Sequence, residues 1–147
     1  MKAALELDEP AERLLGDVQE ALNALGEVEA VVLHFVPVLV LDDDERLAEL
    51  TARGLRRLGY EAEAAASMRK LRPGEVVVFD LSLSASLRAD ERAALAASRP
   101  IIVTGAADSG SRAIAEELRA SDYLIKPVEL SALAAAIQRR VEANRPL

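Results

Sequence analysis

Val38-Leu39-Val40-Leu41-Asp42-Asp43-Asp44 decides the reading of this chain: four apolar residues, two of them β-branched, run straight into three carboxylates. A run this short, next to a helical pattern, reads as a strand buried on both faces, the building unit of a parallel sheet. The pattern recurs. Val76-Val77-Val78-Phe79 runs into Asp80, Ile101-Ile102-Val103 into Thr104, and Tyr123-Leu124-Ile125 into Lys126-Pro127. In an open parallel sheet the ligand site lies beyond the carboxyl ends of the strands. Carboxylates, a hydroxyl and an ammonium are therefore expected to converge on one edge, a set that can hold a divalent cation and a phosphoryl group.

Between these runs the apolar spacing becomes helical. A helix is expected from about Asp44 to Leu58, with Leu47, Leu50, Leu55 and Leu58 facing inward and Gly59 as its stop. Tyr60 to Ala65 reads as a weak second strand. A very short helix is expected around Ser67–Leu71, before Pro73-Gly74. Further helices fall at Arg88 to Ala97, Ser111 to Arg119 and Val128 to about Ala143. Five strands in alternation with five helices give an α/β fold with right-handed crossovers and a doubly wound sheet. The flavodoxin-like strand order 2-1-3-4-5 sets the first and third strands side by side at the switch point, with Asp42, Asp43 and Asp80 at their ends.

Upstream, residues 1–36 form a separate N-terminal extension, and residues 37–147 form the sheet domain. Glu9 to Leu25 has a helical stripe of Leu14, Leu15, Val18, Leu22 and Leu25, with Pro10 in the first turn and Gly26 at the stop. Ala30 to Val36 fits a strand or extended linker, or a helical continuation broken by Pro37; the first reading is favoured. The stripe can pack back on the domain or against a second copy. A homodimer is favoured, since the sheet already covers both faces with its own helices and an exposed apolar strip marks an interface.

Composition excludes several classes. At 147 residues and 51% hydrophobic content the chain can build one domain with an appendage. There is no cysteine, so disulfides and thiolate metal sites are ruled out, and a cytoplasmic protein is expected. No stretch is apolar enough to span a bilayer. The formal charge of −7, without a Lys/Arg cluster, argues against nucleic acid as partner.

Taken alone, several features have plainer readings: Asp42-Asp43-Asp44 as an acidic helix start, Thr104 as a turn residue, Tyr123 as a core aromatic, His34 as a structural residue. Their order is what points to chemistry. Clustered carboxylates repel unless a cation compensates them. With Mg²⁺ or Mn²⁺ bound, Asp80 could serve as both ligand and nucleophile, giving an acyl phosphate. Thr104 and Lys126 are the donors for the phosphoryl oxygens.

Val-Leu-Val-Leu-Asp-Asp-Asp (38–44), Val-Phe-Asp-Leu (78–81), Ile-Val-Thr-Gly-Ala (102–106) and Ser-Asp-Tyr-Leu-Ile-Lys-Pro-Val (121–128) resemble the receiver domain of two-component response regulators over roughly residues 37–141. The resemblance implies Mg²⁺ on Asp42, Asp43, Asp80 and the backbone carbonyl of Ser82, with Asp80 phosphorylated by a sensor histidine kinase or phosphotransfer protein. It also implies that Thr104 and Lys126 contact the acyl phosphate, that the Lys126–Pro127 bond is cis, and that Tyr123 is the switch aromatic. The partner surface would be the helix at 111–119, the strand at 122–125 and the final helix. The expected product is a signalling protein rather than an enzyme, acting on an unidentified downstream protein without a DNA-binding output domain.

The chain also departs from the family. Asp80 is followed by Leu81-Ser82-Leu83-Ser84-Ala85-Ser86, with neither the usual Pro nor a glycine-bearing loop, and the second and third helices are expected to be stunted. This supports an alternative, a pseudo-receiver that signals without phosphorylation. A third reading, resemblance to haloacid-dehalogenase phosphohydrolases, would make Asp42 the nucleophile and Asp44 the acid/base. It lacks a further acidic motif after Lys126 and leaves Asp80 idle.

Overall fold

A computed structural model describes residues 36–144. The expected N-terminal helix, its dimerisation role and most of the segment 30–36 lie outside the described residues. Five strands, β1 (Pro37–Leu41), β2 (Glu61–Ala65), β3 (Val76–Asp80), β4 (Ile101–Thr104) and β5 (Asp122–Ile125), form one parallel sheet in the order 2-1-3-4-5. Four α-helices accompany them: α1 (Glu45–Arg57), α2 (Ala89–Ser98), α3 (Ser109–Glu117) and α4 (Leu130–Ala143). A 3-10 helix, Leu81–Ser86, follows β3 directly. No helix among the described residues is long and apolar enough to cross a membrane.

Both faces of the central strands are buried, as their unbroken apolar runs require. Val38, Val40, Val76, Val78, Ile101 and Val103 pack under α1 and α4, meeting Ala48, Ala52, Leu55, Leu133 and Ile137. Leu39, Leu41, Val77, Phe79 and Ile102 point the other way, against Leu95 of α2 and Ala115 of α3. Phe79, Leu39 and Ile102 are fully covered. Each such side chain stabilises the fold by roughly 1.5–3 kcal/mol relative to exposure.

Two expectations fail. No helix forms at Ser67–Leu71; residues 66–75 are irregular, with a turn at Pro73-Gly74. Five residues make little more than one helical turn, and nucleating it is unfavourable without a packed face. The segment is instead held by Glu75, whose carboxylate accepts from Arg69 and from the Arg72 amide. On α1, Leu47 and Leu50 are 39% and 57% exposed, while Ala48, Ala52 and Leu55 are buried. The small alanines take the closest approach to the sheet, and the two leucines fall on the flank facing Leu130.

Register sets the site. Leu41 pairs with Phe79, so the next residues, Asp42 and Asp80, leave β1 and β3 side by side. Asp80 pairs with Val103, and Thr104 with Ile125, so Thr104 and Lys126 emerge at the same edge.

Candidate functional site

Asp42 and Asp80 are both buried at the carboxyl edge, and Lys126 bridges them. Its ammonium donates to Asp80 Oδ2 at 2.7 Å and to Asp42 Oδ2 at 3.2 Å. The Lys126–Pro127 peptide is cis, as expected, and the Lys126 amide donates to the Thr104 carbonyl at 2.8 Å. The other oxygen of each aspartate is held locally: Asp80 Oδ1 accepts from the Ser82 amide at 3.0 Å, and Asp42 Oδ1 from the Asp44 amide at 2.9 Å.

Asp43 is exposed beside them and accepts from the Ser82 hydroxyl at 3.3 Å. Asp42, Asp43 and Asp80 each place a carboxylate oxygen within 4.8 Å of the others. Asp44 turns away. Its Oδ1 accepts from the Arg46 and Leu47 amides, each at 3.1 Å, and so caps α1. That cap commits Asp44 to the helix and removes the geometric support for it as an acid/base.

The electrostatics follow from the packing. Burial, aided by the neighbouring Asp80, pushes Asp42 up to about 6 against the bonds it accepts from the Asp44 amide and Lys126. For Asp80 burial also opposes the charge, but the bonds from Lys126 and Ser82 outweigh it and hold the carboxyl below its ordinary value. Lys126 likewise loses to burial and gains more from the two aspartates, so its pKa is raised.

Three carboxylates against one ammonium leave an excess of negative charge, which a hard divalent cation with oxygen ligands would balance. The residues present fit Mg²⁺: two buried aspartates fix one side, and exposed Asp43 leaves the other open for the waters this ion retains.

Thr104 is buried at the end of β4, and its hydroxyl accepts from the Ala106 amide at 3.1 Å. Tyr123, half-buried on β5, donates through its hydroxyl to the Ala106 carbonyl at 3.0 Å. One loop residue, Ala106, is therefore held through both its backbone groups, its N–H by Thr104 and its C=O by Tyr123. The Arg112 guanidinium lies 4.9 Å from the Tyr123 ring centre. Neither the Ala106 junction nor the Ser82 hydroxyl was marked in the sequence, because small loop residues carry no local signal of such contacts. The structure brings Asp42, Asp43, Asp80, Ser82 and Lys126 into one cluster, with Thr104 beside it and Tyr123 one peptide away.

No protein-family model matches the chain. Among curated proteins, the acid tolerance regulatory protein ActR of Rhizobium meliloti is 33% identical over 120 residues, covering 74% of this chain and 62% of that protein. The photosynthetic apparatus regulatory protein RegA of Rhodovulum sulfidophilum is 29% identical over 119 residues, 74% and 65%. The DNA-binding response regulator MtrA of Mycobacterium tuberculosis is 32% identical over 122 residues, 73% and 51%. The chain thus spans between half and two thirds of the length of these relatives. Among solved structures, the non-phosphorylated HemR receiver domain of Leptospira biflexa superposes with a TM-score of 0.61 at 23% identity, covering 76% of this chain and 98% of that one. A response regulator of Burkholderia pseudomallei with a phosphorylated aspartic acid gives 0.56 at 26% identity, 74% and 69%.

Proposed function

We propose, on the premise that residues 36–144 form a receiver domain of the response-regulator family, that the chain accepts a phosphoryl group on Asp80 from a sensor histidine kinase or phosphotransfer protein and signals by binding another protein. The supporting observation is the Lys126 ammonium, 2.7 Å from Asp80, inside a pocket where three carboxylates meet.

Phosphoryl transfer asks a protein chiefly to position groups and to neutralise charge. An Asp80 oxygen forms the new P–O bond as the phosphorus–nitrogen bond of a donor phosphohistidine breaks, and the departing imidazole nitrogen keeps the electron pair. Lys126 remains protonated throughout and pairs with the incoming phosphoryl oxygens. The Thr104 hydroxyl accepts from Ala106 and has its own proton available for the same group. Mg²⁺ or Mn²⁺, held by Asp42, Asp43, Asp80 and the Ser82 carbonyl, would supply positive charge opposite those oxygens. A shift of Thr104 toward the phosphoryl group would pull on the backbone of Ala106, whose N–H it accepts from and whose C=O Tyr123 donates to, and so on Tyr123. That carries the change to the face made by α3, β5 and α4, the proposed partner surface.

One observation favours a pseudo-receiver. The 3-10 helix begins directly after Asp80, and both Asp80 oxygens already accept bonds, from Ser82 and from Lys126. Exposure to a small acyl-phosphate donor with Mg²⁺, followed by intact mass measurement, separates the readings. A phosphoacceptor gains one phosphoryl group, and Asp44→Asn gains it too, because Asp44 only caps α1. A protein that gains nothing at saturating donor is a pseudo-receiver.

A further inference from the structure

Two residues other than glycine have left-handed backbone among those described, and both are arginines: Arg99 at φ 52° and Arg119 at φ 58°. They follow the ends of α2 and α3, where glycine adopts this conformation freely and other residues are held there at a cost of roughly 1–2 kcal/mol. Both arginines line a single cavity of about 490 Å³, together with Arg112, Glu116, Asp122 and Tyr123.

The charge in this cavity is positive in balance, three arginines against Glu116 and Asp122. Asp122 is neutralised from outside it by Arg139. Arg99, Arg112 and Arg119 have no hydrogen bond or ion pair through their side chains with any described group, and Arg112 lies instead against the Tyr123 ring. Elsewhere Arg56, Arg69, Arg72 and Arg88 each hold a carboxylate. Behind Arg99, buried Arg140 donates to the Ser98 and Arg99 carbonyls, and its Nη1 has no partner, which adds positive charge to the same corner. Guanidinium groups pair with carboxylates bidentately, so an acidic peptide is the ligand such a cavity recognises.

The chain itself contains that peptide. Its first 35 residues hold eight acidic and two basic residues, and so carry −6 of the formal −7. Four of the acids, Glu6, Asp8, Glu9 and Glu12, are grouped together. The topology leaves the cavity within reach of that stretch. Val36 enters β1 at the amino edge of the sheet, and Arg99, Arg119 and Asp122 stand at that same edge, where β4 and β5 begin. From β1 to β5 is three strand positions, about 14 Å at the usual ~4.8 Å spacing. The 23 residues between Glu12 and Val36 cover that distance whether extended at about 3.3 Å each or helical at about 1.5 Å each.

We infer that the cavity lined by Arg99, Arg112 and Arg119 is the docking site for the chain's own acidic stretch Glu6–Glu12. The contact lies at the opposite edge of the sheet from Asp80 and does not depend on the phosphoacceptor reading.

Zero-length coupling by a carbodiimide tests it in the full chain. Arg112→Lys and Arg119→Lys, made separately, each put an amine where a guanidinium stands at an exposed position, and circular dichroism verifies the fold. The expected product is a link within one chain between position 112 or 119 and the peptide spanning residues 3–13. Its yield should fall severalfold between about 10 mM and about 1 M salt, as the Debye length drops from roughly 30 Å to roughly 3 Å. Coupling only to Glu116 or Asp122 would overturn the inference, as would the absence of any link. A link found solely in covalent dimers would assign the cavity to a second copy and overturn the intrachain contact. Links that persist with Glu6, Asp8, Glu9 and Glu12 all changed to their amides would overturn the choice of stretch.

Discussion

Asp80 sits between opposing forces: burial disfavours its charge, and Lys126 with the Ser82 amide restores it. Asp42, with the weaker share of Lys126, ends on the other side of its ordinary value, at about 6. Asp43 plays neither part. It is exposed, and its carboxylate accepts a single hydrogen bond, from Ser82. Asp43→Ala should therefore reduce Mg²⁺ or Mn²⁺ affinity at least tenfold by titration calorimetry, with stability within about 0.5 kcal/mol of the parent, as befits a surface change. Unchanged affinity would place the cation elsewhere. Asp42, Asp80 and Thr104 were legible in the sequence because each ends or directly follows a buried apolar run, Asp43 because it adjoins Asp42, and Lys126 because it follows the strand-like Tyr123-Leu124-Ile125, although β5 is only partly buried. The double hold on Ala106, through its N–H and its C=O, was not, since it depends on how far Tyr123 reaches across from β5.

Elements were legible where burial was continuous and obscure where it was marginal. The apolar runs of β1, β3 and β4 declared themselves, and Gly59, at φ 101°, ended the first helix as expected. The short helix expected at Ser67–Leu71 failed because polar bonding to Glu75 satisfies that segment without a helix. On α1 the leucines stood out in the sequence; Leu55 packs against the sheet as expected, whereas Leu47 and Leu50 stay exposed and Ala48 and Ala52 make the close contact. Glu75 supplies a pH test of this account. Its side chain is fully covered; burial opposes its charge, but Arg69, the Arg72 amide and Arg72 prevail, so its pKa in the folded protein is lowered. A lowered carboxylate contributes stability that is complete above the unfolded value near 4.5 and is lost as pH falls through the lower folded value. Denaturant midpoints followed from pH 7 downward should therefore fall below about pH 4.5, and Glu75→Gln should flatten that fall. The variant should also lose about 1–3 kcal/mol at pH 7, since the ion pairs it breaks are partly buried. Parallel pH profiles for the two proteins would contradict the role given to Glu75.

At the scale of the whole molecule, strand order joins everything. The order 2-1-3-4-5 brings Asp42 beside Asp80, and Lys126, from the end of β5, reaches both with its ammonium. The sequence made that topology legible through strict alternation, while the division of charge between the first 35 residues and the rest became meaningful only once the arginine cavity was located. The central claim is that this edge makes Asp80 a phosphoacceptor. Its most direct measurement is to treat the protein with an acyl-phosphate donor and Mg²⁺, reduce it with borohydride, which converts an aspartyl phosphate to homoserine, and map the peptides. The account predicts homoserine at position 80, dependent on donor and metal and lost in Asp80→Asn. Aspartate left intact at position 80 while the protein has gained a phosphoryl group, or the same modification found at Asp42, would contradict it.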